Sequence, residues 1–69
     1  MKAKHIREML ERLAPGDAVR IPAPSSQPGN RDRYLRTNYV AWKLWGVGAY
    51  ALRSGHDHVR VTRSDLAFR

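Results

Sequence analysis

The stretch Ala49-Tyr-Ala-Leu-Arg-Ser-Gly-His-Asp-His-Val-Arg-Val-Thr-Arg63 decides how this chain folds. Tyr50 and Leu52 alternate with Ala51 and Arg53; Val59 and Val61 alternate with His58, Arg60 and Thr62. Alternation of period two marks a strand buried on one face only. Between the two runs, Ser54-Gly-His-Asp57 has the polar, glycine-containing make-up of a hairpin connection. The segment predicts antiparallel strands over 49–53 and 58–63, with aliphatic side chains on one face and Arg53, Arg60 and Thr62 on the other.

Upstream, Gly46-Val-Gly48 ends a helix and turns the chain tightly into the hairpin. It lacks the lysine and the strand-then-helix setting of a phosphate loop. The helix it ends runs to Trp45 from a cap at Asn30 or Asp32. At about 100° per residue, Tyr34, Leu35, Tyr39, Ala41, Trp42 and Trp45 share one arc, the expected core face. Arg33, Arg36 and Lys43 share the other, interrupted by Val40 and Leu44. A base-stacking platform would need those rings exposed, leaving so small a domain without a centre. Val40 and Leu44, with Arg36 beside them, are then either a second buried side or an exposed strip that meets a partner.

Pro22-Ala-Pro-Ser-Ser-Gln-Pro-Gly29 reads as an extended, exposed loop, since its prolines neither donate to a ladder nor continue a helix. Before it, Asp17–Ile21 is a short strand with Val19 and Ile21 inward and Ala18 and Arg20 outward. Lys2–Leu13 is an amphipathic helix built on Ile6, Leu10 and Leu13, with Lys4/Glu8, Arg7/Glu11 and Glu8/Arg12 as four-residue ion pairs; Pro15-Gly16 stops it. Residues 64–69 read as a short helical turn or a mobile tail. The expectation is one α+β domain over residues 1–69, order α-β-α-β-β, with a small three-stranded antiparallel sheet packed against two helices. A winged-helix-like arrangement is the alternative.

Thirteen Lys and Arg stand against six Asp and Glu, a formal net charge of +7. The excess is +2 up to Gly29 and +5 from Asn30 onward. Such a field attracts polyanions, and arginine, which outnumbers lysine here, suits bidentate contacts to phosphates and base edges. With no cysteine there is neither a disulfide nor a zinc–thiolate site. No apolar run approaches the roughly 20 residues that cross a bilayer, and no apolar stretch follows the first charges as in a secretory signal. Cytoplasmic residence and no membrane partner are the expectations.

If the three strands share one sheet, Arg20, Arg53 and Arg60 emerge together on its solvent face, with Arg63 at the end of the last strand. Arg33, Arg36 and Lys43 supply a second basic surface on the helix. Both fit nucleic acid, DNA ahead of RNA. Val59-Arg-Val-Thr-Arg-Ser-Asp-Leu66 resembles, over these few residues, the strand that closes the wing of small excisionase-type DNA binders, which implies DNA binding; small size and the absence of cysteine point to a regulator of a bacterium, phage or mobile element. The alternative function is a small interaction protein, of the type phages and plasmids encode, that inhibits a host protein by covering an acidic site through Val40, Leu44 and Arg36. Monomer and homodimer are both open. His56-Asp57-His58, with His5, has metal-ligand residue types, but side chains at a hairpin tip diverge, so the segment reads as a polar turn. Ser25, Ser26, Ser54 and Ser64 have no recognisable nucleophile context. No cofactor, metal or catalytic role is expected.

Overall fold

Residues 2–64 are described by the computed structural model and form two layers. The elements are helix α1 (Ala3–Glu11), strand β1 (Ala18–Pro22), helix α2 (Gly29–Trp45), strand β2 (Tyr50–Ser54) and strand β3 (His58–Arg63). This is the predicted α-β-α-β-β order with an open three-stranded antiparallel sheet. The helical turn or tail expected over 64–69 lies, from residue 65 on, outside the described residues.

β3 is the central strand. Its register sets Val61 between Val19 and Leu52, and Val59 opposite Ile21. The pleat therefore turns all of these toward the helices, and Ile21, Val59 and Val61 lose all contact with solvent. α1 supplies Ile6 and Leu10 to the same core, followed by Leu13. Side chains of this size contribute about 1.5–3 kcal/mol each when fully buried, and in a chain this short these few contacts carry most of the stability.

α2 corrects the sequence-based expectation. Its buried line is Asn30, Thr37, Val40 and Ala41, with Tyr34, Leu44 and Trp45 packed beside it. Leu35, Tyr39 and Trp42, expected in the core, are about half exposed. Val40 is only 7% exposed and Leu44 packs against the core, so these two, beside an exposed Arg36, belong to the buried side of α2 and not to an exposed strip. The physical reason is that α2 carries two apolar stripes. One is 37-40-41-44, the other 35-39-42, and both follow the spacing of one helix face. α1 and the sheet cover only the first.

The winged-helix alternative also falls, because residues 29–45 form one uninterrupted helix with no turn inside it. Nor does Asn30 or Asp32 cap that helix; it starts at Gly29 behind Pro28 without a side-chain cap. Asn30 sits in the first turn instead, 4% exposed, and its Nδ2 donates to Pro24 O at 2.9 Å and Gly55 O at 3.2 Å. It ties the proline-rich loop and the hairpin turn to α2. Gly46 and Gly48 take φ of 89° and 86°, conformations that suit glycine, and the Gly46 N–H closes the helix onto Trp42 O at 2.9 Å.

Two buried polar residues of α2 should respond oppositely to removal. Thr37 is fully buried, and its Oγ1 has no hydrogen-bond partner among the described residues. Thr37→Val keeps the shape and deletes a stranded hydroxyl, so stability should rise by about 1 kcal/mol, a gain of about 4–8 °C in Tm. Asn30→Ala strands two carbonyls and should lower stability by about 1–3 kcal/mol. Thermal melts followed by circular dichroism check both signs.

Candidate functional site

Among the described residues no helix or strand covers the outer face of the sheet. Antiparallel register places Arg20 opposite Arg60 and Arg60 opposite Arg53, one arginine per strand in a single row. All three are exposed. Ala18, Thr62 and Ala51 form the adjacent row, where two small side chains leave the guanidinium groups open to close approach. His58 and Pro22 lie on the other side. No strand residue on this face is an acid.

Like charges directly opposite on a sheet are destabilising by roughly 0.2–1 kcal/mol per pair, and this row has two such pairs. Nothing described offsets them. The ion pairs among the described residues are Arg7–Glu11 and His58–Asp57, each at 3.1 Å, and neither reaches the row. Among the described residues no carboxylate makes an ion pair with any of the three guanidinium groups.

The other basic residues singled out in the sequence do not join it. Arg63 shares the inward pleat of Val59 and Val61. Its Nη1 donates to Leu13 O at 2.7 Å, and the guanidinium lies 5.2 Å from the centre of the Trp45 ring. It clasps the end of α1 to the end of α2. Arg33 is half-buried and donates through Nη1 to Pro22 O, holding the end of β1 against α2. Arg36 and Lys43 are exposed on the helix layer, away from the sheet's outer face, and the Lys43 ammonium lies 6.0 Å from the centre of the Tyr39 ring. The expected seven-residue basic set thus divides into three on the sheet, two on the helix and two engaged with backbone carbonyls.

The hairpin tip is a structural turn. His58 packs its ring over Gly55, where a Cβ would collide with it, and its Nδ1 meets Asp57 Oδ1 at 3.1 Å. That hydrogen bond holds the Asp57 carboxyl below its ordinary value. Among the described residues no three His, Asp or Glu side chains gather as metal ligands. At the far end of β2, the Tyr50 hydroxyl donates to Asn38 Oδ1 at 2.7 Å, and burial, then the neighbouring Tyr34, push its pKa up.

Sequence reasoning missed one feature: the exposed strip Leu35, Tyr39 and Trp42 on α2. Its signal was the second stripe, visible in the spacing but assigned to the core. Compared with protein-family models, curated proteins and solved structures, the chain matches none of them.

The arginine row should cost stability at low salt. Arg60→Thr breaks both like-charge pairs and should raise Tm by a few degrees at ~10 mM salt, equivalent to about 0.5 kcal/mol. The gain should shrink near 0.5 M salt, where screening removes the repulsion. Paired melts at the two salt concentrations measure it.

Proposed function

We propose that the protein is a non-catalytic nucleic-acid-binding module, DNA ahead of RNA, that contacts its ligand through the outer face of the sheet. One observation carries this reading: Arg20, Arg60 and Arg53 stand abreast across three strands, with no acid among the strand residues of their face. Guanidinium groups form forked hydrogen bonds with phosphate oxygens, and strand faces bearing them are a known means of lying in a groove. The B-DNA major groove, about 12 Å wide, admits a two-stranded ribbon, so β3 and one neighbour would enter it while the arginine of the third strand meets the flanking phosphates. The A-form major groove is too narrow and deep for such a face.

The helices pack against the opposite side of this surface. Arg63 and Arg33 support it indirectly, one bridging the helix ends and the other fixing the end of β1. Phosphate contacts of this type bind without strong sequence preference; Thr62, in the row beside the arginines, would supply a hydroxyl to a base edge.

Affinity for a duplex of about 20 bp should fall linearly with salt on a log–log plot between roughly 50 and 200 mM, and each row arginine changed to alanine should reduce the slope by about 1. Fluorescence anisotropy of a labelled duplex gives both quantities. Absence of binding at the lower salt, or an Arg20/Arg53/Arg60 triple-alanine variant that binds as the parent does, overturns the reading.

A further inference from the structure

The strip on the outward side of α2 has a composition that a solvated helix face does not require. Leu35 is 51%, Tyr39 59% and Trp42 47% exposed, on successive turns. The two rings have centroids 6.4 Å apart and planes 33° from parallel, so they are splayed and do not stack on each other. The domain does not need them as its centre, because Ile6, Leu10, Ile21, Val40, Ala41, Val59 and Val61 already form one. The condition that would deny these rings a stacking role, a chain with no other core, is therefore absent.

The surroundings of the strip are basic. Arg31 lies on one side of it by helical position, with Arg36 and Lys43 on the other. Beyond Lys43 opens an apolar groove between α1 and α2, lined by Ala3, Val40 and Leu44, with Tyr39 at its edge and Lys4 and Arg7 on its far rim. Asp32 is the sole acid of α2. A second copy of this chain would bring the same cations against these, so charge argues against self-association through the strip. An anionic ligand with flat apolar rings matches both the rings and the rim.

We infer that the outward face of α2 is a second nucleic-acid site, specific for unpaired bases. Bases stack on Tyr39 and Trp42 while the backbone phosphates run along Arg36, Lys43 and Lys4. Stacking on aromatic side chains tolerates any base, since each has a π-face. A duplex hides those faces, so this site selects single strands, whereas the arginine row on the opposite face accepts a duplex. The inference adds a ligand class to the proposed function without depending on the sheet, because the two faces share no residue.

The test uses the full chain with three probes: a thymidine single strand of about 15 nucleotides, the same strand with abasic sites, and a duplex of equal length. Trp42→Ala and Tyr39→Ala alter exposed side chains, and unchanged circular dichroism confirms that each variant is folded. Each should weaken thymidine-strand binding by about 5- to 100-fold, the range for loss of one stacked base, and change duplex affinity less than about twofold. The parent should bind the abasic strand as weakly as the variants bind the thymidine strand, and Trp42→Phe should restore most of the affinity. The Arg20/Arg53/Arg60 triple-alanine variant should keep the thymidine-strand affinity. Failure of the sheet reading appears only with the duplex, and failure of this one only with the single strand. Equal parental affinity for abasic and thymidine strands overturns the inference, as does indifference of thymidine binding to both aromatic substitutions. So does no thymidine binding together with concentration-dependent dimerisation or anionic-vesicle binding abolished by Trp42→Ala.

Discussion

The strict alternation of β3 is the constraint from which the rest follows. Val59 and Val61 are fully buried between β1 and β2, and Arg60 between them must then point to solvent. A slip of one residue in either pairing would turn over the outer strand concerned, directing Arg20 or Arg53 inward in place of its aliphatic neighbours, so the register is tightly specified. The same pairing sets Arg20 and Arg53 on either side of Arg60. Hydrophobic burial and the basic row are thus two results of one pleat, and the valine pair fixes the geometry of the charged face.

Helix packing completes that arrangement at its margins. Arg63 follows the inward parity of the valines and reaches a backbone carbonyl at the end of α1 and the ring of Trp45 at the end of α2. Asn30 does a similar task at the other end, joining the proline-rich loop, the hairpin turn and the start of α2. Charge and polarity inside this small domain serve to fasten elements together. On the outer face of the sheet and the outward side of α2 the charged groups are exposed to solvent.

The strands were legible in the sequence because their period is an integer: once Val59 and Val61 face inward, the side of every neighbour follows. The arginine row was legible for the same reason. Arg63 was misgrouped because its charge was weighed above its odd-numbered parity, which places it with the valines. α2 was less legible. Stripes 37-40-41-44 and 35-39-42 satisfy helical spacing equally well, and only the position of α1 and the sheet decides between them. Larger side chains in the second stripe made it the more plausible core, yet Thr37, Val40 and Ala41 fit the narrow space between the layers. The tie made by Asn30 left no local signal, because its partners Pro24 and Gly55 lie 6 and 25 residues away.

The central position of β3 has a consequence for biosynthesis. A ribosome releases α1, β1, α2 and β2 first, and both early strands have β3 as their neighbour in the sheet. Until residue 63 has emerged, neither can form a ladder, and their apolar faces lack the layer that covers them. Pairing of Ala18 with Thr62 then spans most of the chain, a non-local closure of the kind that slows folding. The sheet cannot form before β3 has emerged, and a product terminated before His58 would present unpaired strand edges to chaperones and proteases.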